Sequence, residues 1–319
     1  MIISVSRRTD IPAFYSDWFI KRLEEGFLYV LNPMNRKQVS KIYLNANIVD
    51  CFVFWTKNAE PMINKLHLLD EKGFKYYFQF TITSYQSDIE PGINNKNEVI
   101  NTFKRLSDKL GKERVIWRYD PIFLNEKYTL EYHELWFEAM CKRLSGYTKK
   151  CIISFLDLYS KTIRNTKDLH LKQLTTDEMY QIANILSNIA KKYNIEMESC
   201  SEKIDLTQYG IKHGKCIDDR LVSQIIGSKL SVNKDDTQRD ICGCVKSIDI
   251  GQYNTCKHFC KYCYANYNYE HVNDYCAHYD IDSPLLVANL KGDEKINVRA
   301  MKSVKCEERG DQMELPIFD

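Results

Sequence analysis

Three cysteines near the C-terminal end of the chain have the spacing of a metal-binding loop. Cys256, Cys260 and Cys263 stand at intervals of four and three residues, and Tyr262 immediately precedes the third. A structural zinc site is normally closed by four protein ligands. Three thiolates without a fourth ligand suit an iron–sulfur cluster in which one iron stays open. A zinc site or purely structural cysteines are the alternative.

Four further cysteines are candidates for a second centre, and two of them flank a glycine. They are Cys200, Cys216, Cys242 and Cys244. A glycine between two ligands allows the backbone to approach closely, and four thiolates complete a closed [4Fe–4S] site. We therefore predict an auxiliary cluster, the alternative being free cysteines that pack as small apolar groups. We interpret Cys51, Cys141 and Cys151 as free cysteines that pack as small apolar groups. Cys276 and Cys306 stay unassigned.

The composition excludes several classes of protein. The chain has 319 residues, twelve cysteines and a formal net charge of +2, so no strong overall field attracts polyanions. No apolar run reaches the length of a membrane span, and the first residues do not resemble a signal peptide. We expect a cytoplasmic protein without a membrane partner, whose reduced thiols bind metal.

Apolar segments alternate regularly with amphipathic segments along most of the chain. The predicted strands are residues 2–6, 51–55, 76–81, 115–120, 151–156, 195–200 and 247–250, and residues 27–30 and 39–44 predict a hairpin. Buried strands that alternate with helices indicate a parallel sheet covered by helices. We predict an α/β fold, a full or partial TIM-like (β/α) barrel. Residues 1–305 form its single domain, with the cysteine segment at about 200–276, and 306–319 are a mobile tail.

The pattern CxxxCxΦC in residues 256–265 resembles the cluster loop of the radical S-adenosylmethionine (SAM) superfamily. The resemblance implies a [4Fe–4S] cluster whose open iron binds SAM, and a reductant such as flavodoxin or ferredoxin. It also implies reductive cleavage of SAM to a 5′-deoxyadenosyl radical that abstracts hydrogen. The backbone of Tyr262 would contact the adenine of SAM. In that superfamily the loop normally follows the first barrel strand. Here it follows the last one, which implies a circularly permuted barrel of the radical SAM type.

The chain also resembles an uncharacterised bacterial family, domain of unknown function 1848, to which no reaction is assigned. The resemblance covers nearly the full length. It is strongest in residues 6–12, 54–58 and 118–122 and in the cysteine segment.

Charged residues gather where the predicted strands end, and in a parallel barrel the chemistry lies at those ends. The candidate catalytic residues are Arg7, Arg8, Asp10, Lys57, Arg118 and Asp120. Guanidinium groups suit the carboxylate of SAM. Alternatively, Arg8–Asp10 and Arg118–Asp120 are structural ion pairs.

Other polar residues follow the same strand ends. They are Thr56, Gln79, Thr81, Thr83, Asp157, Glu198 and Glu202. The Gly-Gly-Glu element that binds the SAM amine in the superfamily is absent, and the first strand takes its place in a permuted barrel. Ser4, Ser6 and Arg7 are therefore the candidates for that role. We expect His258 and Tyr264 to pack within the loop.

Two classes of function remain, and the substrate stays open. The first is a radical SAM enzyme, and the second is a non-catalytic iron–sulfur or zinc protein that senses or scaffolds. Substrates in contention are a nucleic acid, or a peptide or small metabolite. Residues 312–318, from Gln312 to Phe318, resemble a bacterial motif that docks into the sliding clamp and would favour DNA. Alternatively, this tail packs on its own barrel.

Overall fold

A computed structural model describes residues 1–93 and 95–306. The predicted clamp motif, from Gln312 to Phe318, lies outside the described residues. The strands are β1 (Ile2–Val5), β2 (Phe27–Leu31), β3 (Gln38–Tyr43), β4 (Cys51–Thr56), β5 (Tyr76–Thr81), β6 (Val115–Ile122), β7 (Lys150–Phe155), β8 (Glu196–Ser199), β9 (Lys212–His213), β10 (Ile248–Asp249) and β11 (Lys295–Val298). The α-helices are α1 (Ile11–Phe14), α2 (Ser16–Glu25), α3 (Glu60–Ile63), α4 (Leu66–Glu71), α5 (Lys96–Leu110), α6 (Leu130–Leu144), α7 (Ser160–Asn165), α8 (Thr176–Lys192), α9 (Asp219–Ile226) and α10 (Tyr269–Cys276).

Eight strands form one sheet in the order β10-β1-β4-β5-β6-β7-β8-β9, and every neighbouring pair is parallel. This confirms the α/β class and the parallel sheet. Strand β10 lies next to β1, so the last strand of the sheet in sequence is beside the first. Strands β9 and β10 are the two edges, and they do not pair with each other within the described residues.

One face of the sheet is apolar along its whole length because helices cover it. Phe52 and Phe54 of β4 lie edge-on to Phe19 of α2, each at 5.4 Å between ring centroids. Farther along, Trp117 of β6 stacks on Phe137 of α6 at 5.0 Å. All five rings are inaccessible to solvent. Strands buried on both faces read as continuous apolar segments, which is why the sequence predicted them.

The other face becomes polar toward the carboxyl ends of the strands. Ser4, Trp55, Gln79 and Arg118 share this face, since side chains alternate along a strand. Trp55 donates from its indole nitrogen to Ser4 Oγ at 3.1 Å, and Arg118 Nη1 lies 3.5 Å from Gln79 Oε1. Deeper in, apolar residues such as Ile2 and Val53 pack against the segment that contains α9. The polar end of this face is where the predicted site residues converge.

Two helix caps predicted from the sequence are present in the structure. Asp10 caps α1 by accepting from the amide of Ala13 at 2.9 Å. Thr175 and Glu178 form the predicted capping box at the start of α8. The helix predicted after Asp10, however, is two helices separated at Tyr15, whose hydroxyl donates to the carbonyl of Thr255 at 2.6 Å.

Some elements had no usable sequence pattern. The hairpin of β2 and β3 is confirmed, but β11 pairs parallel with β3 and was not predicted. Strand β9 was also missed, because its two residues are exposed and show no apolar alternation. None of the described helices is long and apolar enough to cross a membrane.

Candidate functional site

The carboxyl ends of β1 and β10 are joined through Asp249. Its carboxylate accepts from Ser4 Oγ at 3.0 Å, Ser6 Oγ at 2.5 Å and the amide of Arg7 at 2.9 Å. A Cβ on Gly251 would overlap Ser6 Oγ and come within 2.5 Å of Ser6 Cβ. Ser4 and Ser6 therefore orient an acidic residue that sequence reasoning missed. The only sequence signal for Asp249 was its position between Ile248 and Ile250 in the last predicted strand.

Asp10 anchors the cysteine loop through His258. His258 Nε2 lies 2.7 Å from Asp10 Oδ2, and both groups are buried. The same carboxylate accepts from the amide of Lys57 at 2.7 Å and from Thr56 Oγ1 at 2.8 Å. His258, which we expected to pack within the loop, is therefore paired with a specific residue, Asp10. Asp10 fixes the ends of β1 and β4 against the loop.

The alternative that pairs Arg8 with Asp10 is wrong for the described residues. Arg8 faces Asp249, with Nε 3.9 Å from Oδ1, and its Nη1 lies 3.5 Å from the carbonyl of Gly251. Its guanidinium also stands 5.1 Å from the ring centroid of Tyr253. Arg8 and Asp249 therefore form a cation and anion side by side at the start of the cysteine loop.

Glu90 is the second acidic residue that the sequence did not single out. Only 1% exposed, it accepts from Lys57 Nζ at 2.8 Å, Thr83 Oγ1 at 2.7 Å and Lys96 Nζ at 2.5 Å. The hydroxyl of Tyr262 also donates to it. Burial opposes its charge, but Lys57 and Lys96 outweigh burial and hold the pKa of Glu90 well below its usual range. Glu90 lies outside any strand pattern, so no sequence signal pointed to it.

The loop after Glu90 is pressed against the cysteine loop. The amide of Gly92 donates to the carbonyl of His258 at 2.9 Å. A Cβ on Gly92 would lie 2.5 Å from the carbonyl oxygen of Lys257 and 2.6 Å from His258 Cα. Only glycine fits between these two backbones.

Of the three thiols of the motif, Cys260 is buried and Cys256 and Cys263 are partly buried. Cys263 Sγ accepts a hydrogen bond from the amide of Ala265 at 3.3 Å. Burial raises the pKa of each thiol, for Cys260 to about 12. Three cysteine thiolates are the ligands of a [4Fe–4S] cluster with one open iron, and hydrogen bonds to sulfur tune such a cluster. The donor set therefore fits a cluster bound by three cysteines.

The four cysteines assigned to a second centre come together from three separate stretches of chain. Cys200 Sγ and Cys216 Sγ are 3.1 Å apart. Cys216, Cys242 and Cys244 pack in one buried cluster, and Cys200 packs against it. The hydrogen bond with Cys216 lowers the pKa of Cys200 to about 6, and Cys244 is also lowered, while Cys216 and Cys242 are raised.

Arg118 and Arg7 point their guanidinium groups toward this second group. Arg118 Nη1 donates to Cys216 Sγ at 2.8 Å, and its Nη2 lies 2.5 Å from Asp120 Oδ2. The ring centroid of Trp55 lies 5.3 Å from the guanidinium of Arg7 and 5.2 Å from that of Arg118. The Arg118–Asp120 ion pair is thus present, and Arg118 also contacts a thiol.

The candidate residues fall into two neighbouring groups. Asp10, Lys57 and Tyr262 surround the three-cysteine loop, whereas Arg118 and Asp120 belong to the four-cysteine group. Arg7 joins them, because its carbonyl accepts from the hydroxyl of Tyr264 at 2.8 Å while its side chain faces the other group.

The three cysteines predicted to be structural are fully buried. Cys51, Cys141 and Cys151 are each 0% exposed, and burial raises the pKa of each thiol. Within residues 1–93 and 95–306, no group of three or more His, Cys, Asp or Glu side chains is arranged to hold a single metal ion. The cysteine ligands of a cubane bind different irons, so a cluster does not need that arrangement.

A family model matches residues 2–265, and it is described as Domain of unknown function (DUF1848). The matched range covers more than half of the chain. It runs from β1 through the three-cysteine loop and includes the four cysteines of the second group. No curated protein matches the chain.

Proposed function

The chain belongs to this DUF1848 family, and we propose that it is a radical SAM enzyme whose cluster is held by Cys256, Cys260 and Cys263. The observation that carries the proposal is the position of the three-thiol loop. It follows β10 at the carboxyl end of a parallel sheet, beside β1, and buried ionic groups enclose it.

The strand order supports a permuted barrel of the radical SAM type. In that superfamily the cysteine loop follows the first barrel strand. In space β10 is the first strand here too, followed by β1 and then β4. Moving β10 to the beginning of the chain would restore the usual order without changing any strand pairing.

A [4Fe–4S] cluster bound at this loop would supply the electron that cleaves SAM to methionine and a 5′-deoxyadenosyl radical. The chain's own residues would orient SAM. Asp249, whose side chain is 12% exposed, is an acceptor suited to the amine, and Arg8 beside it is a cation suited to the carboxylate. Ser4 and Ser6 keep the Asp249 carboxylate in place. This pair would replace the missing Gly-Gly-Glu element.

Lys57, by contrast, is committed to Glu90. Its ammonium is held by that buried carboxylate, and despite the opposing effect of burial the pKa of Lys57 is raised. We assign Lys57 to holding the loop rather than to SAM. Its amide holds Asp10, and its side chain, through Glu90, is linked to Tyr262.

Aromatic packing behind the loop would keep water from the reactive centre. Cys260 and Tyr262 belong to a buried cluster with Tyr85 and Phe123, whose rings stack at 4.3 Å. Excluding water protects a reactive intermediate from side reactions. The aromatic side of the loop would therefore exclude water, and the side facing Arg8 and Asp249 would bind SAM.

The test is anaerobic reconstitution followed by dithionite and SAM, with 5′-deoxyadenosine as the readout. The wild type should release it, and Cys256→Ala/Cys260→Ala/Cys263→Ala should not. Cys141→Ala, a buried thiol outside both groups, is the matched control and should behave as wild type. Release by the triple variant, or none from a fully iron-loaded wild type, would contradict the proposal.

A non-catalytic metal-binding protein is the second candidate, favoured by the four converging thiols, which form a closed donor set. It predicts that the protein binds iron but does not cleave SAM.

For the substrate, only the sequence of residues 312–318 favours DNA over a peptide or metabolite. A tail peptide should then bind purified sliding clamp more tightly than the same peptide with Gln312→Ala and Phe318→Ala. Equal binding would remove that support.

A further inference from the structure

The group of Cys200, Cys216, Cys242 and Cys244, here called the four-thiol group, has no part in SAM cleavage as proposed above. Cys200 follows β8, Cys216 precedes α9, and the other two follow α9. Folding packs all four into one cluster, in which Cys200 Sγ and Cys216 Sγ are 3.1 Å apart. Isolated apolar packing does not require thiols to meet each other. Their convergence therefore calls for a common ligand.

The backbone around the four-thiol group is built for close approach. A Cβ on Gly214 would lie 2.7 Å from Glu198 Oε2, and one on Gly243 would lie 3.1 Å from Lys215 Cγ. The amide of Gly214 donates to the carbonyl of Ser199 at 2.8 Å, which joins this segment to the end of β8. The amide of Ile217 donates to Cys244 Sγ at 3.4 Å. These contacts hold the three cysteine-bearing segments together.

The charges around the group indicate an anionic ligand set. Arg118 is 5% exposed and donates to Cys216 Sγ at 2.8 Å. The guanidinium of Arg7 lies 5.3 Å from the ring of Trp55, and its Nη2 is buried with no hydrogen-bond partner among the described residues. Asp120 and Asp249 offset part of this charge. A buried cation with an unpaired donor is costly unless an anion compensates it. Four metal-bound thiolates would provide that negative charge.

We propose that the four-thiol group binds a second [4Fe–4S] cluster, fully ligated by cysteine. The choice of an iron–sulfur cluster over zinc rests on the function proposed above, since the chain would already be loaded with a cluster. A closed set of four thiolates has no open iron, so this centre does not bind SAM. Its role is electron transfer or structural support, with Arg7 and Arg118 as positioning residues that favour the more negative, reduced form.

The spacing of the thiols sets a requirement on metal binding. Two ligands of one tetrahedral zinc lie about 3.8 Å apart when each bond is about 2.3 Å, whereas Cys200 Sγ and Cys216 Sγ are 3.1 Å apart. These thiols must separate to bind either metal. A disulfide between Cys200 and Cys216 is the competing outcome.

The experiment uses the full chain carrying Cys256→Ala/Cys260→Ala/Cys263→Ala, which lacks the first site. After anaerobic reconstitution it should retain about four irons and four sulfides per chain. Adding Cys242→Ala and Cys244→Ala should remove them, whereas adding Cys51→Ala and Cys141→Ala should not. Loss of iron from the control set as well would contradict specific binding. Circular dichroism monitors folding.

The wild type keeps the proposal testable when the five-site variant does not fold. It should carry about eight irons, and Arg118→Met should make the reduction potential of the second cluster more negative at unchanged iron content, with Arg118→Lys restoring part of the shift. An unchanged potential would contradict the role of Arg118. One zinc and no iron in the triple variant, or no metal and a Cys200–Cys216 disulfide, would overturn the cluster.

The same measurements distinguish this proposal from the first one. Four irons in the wild type and none in the folded triple variant would overturn the second cluster and leave the SAM site standing. Four irons in both would overturn the cluster on Cys256, Cys260 and Cys263 and support the four-thiol group.

Discussion

Ser4 Oγ donates a 3.0 Å hydrogen bond to the carboxylate of Asp249, although 245 positions separate the two residues in the sequence. The bond joins the carboxyl end of the first strand to that of β10, and the cysteine loop follows immediately. A residue at the start of the chain therefore determines how a loop near its other end is held.

Gly251→Ala should destabilise the junction of β1 and β10 by about 1–3 kcal/mol, because the added methyl would overlap the Ser6 side chain. Urea unfolding would measure the loss. In the double variant Ser6→Gly/Gly251→Ala the overlap is removed. Its destabilisation should therefore be smaller than the sum of the two single effects. Strict additivity would show that the overlap is not the cause.

Gly92→Ala should weaken retention of the cluster, because its Cβ would press on the backbone of Lys257 and His258. We expect less iron after reconstitution and faster loss of iron to a chelator. Gly111→Ala is the control. It strains a backbone with φ of 88° after α5, away from the cysteine loop. It should lower stability while the iron content of the folded protein stays that of the wild type. Equal iron loss in both variants would contradict a specific role for Gly92.

Glu90→Gln should destabilise the fold by about 3–5 kcal/mol, because it leaves the largely covered ammonium groups of Lys57 and Lys96 without their buried counter-charge. Glu113→Gln is the matched control. The partners in its ion pair with Lys149 are each at least half exposed, so the change should cost less than about 1 kcal/mol. Chemical unfolding of both variants makes the comparison. Similar losses would mean that Glu90 is not a buried charge centre.

His133 should make stability fall in acid. It is fully buried, and burial lowers its pKa from 6.5 to about 4. Below pH 6.5 the unfolded chain binds a proton that the native imidazole resists. The contribution is therefore complete above pH 6.5 and is lost as the pH falls to 4, by about 3 kcal/mol in total.

The check is the slope of unfolding free energy against pH between 6.5 and 4. His133→Gln should flatten this slope relative to wild type, whatever its effect on stability at neutral pH. His271→Gln, at an exposed position, should leave the slope unchanged. A slope that His133→Gln does not alter would show that His133 already takes up its proton in the native state.

Short-range sequence patterns were enough to predict the strands, the helix caps and the three-cysteine motif. Phe52, Phe54 and Phe78 lie in continuous apolar segments because their strands are buried on both faces. Thr175 and Glu178 form a capping box within four residues. Spacings of three and four residues in the cysteine motif are equally local. Such features depend on neighbours in the chain, so periodicity and spacing were enough to predict them.

Only the tertiary structure decided which distant groups meet. Arg8 faces Asp249 and not the nearby Asp10, because strand pairing brings β10 beside β1. Glu90 becomes a charge centre because Lys57, just after β4, and Lys96, at the start of α5, both reach it. The four thiols meet from three separate stretches of chain. The register of the sheet and the packing of loops create these contacts, and no local pattern contains that information.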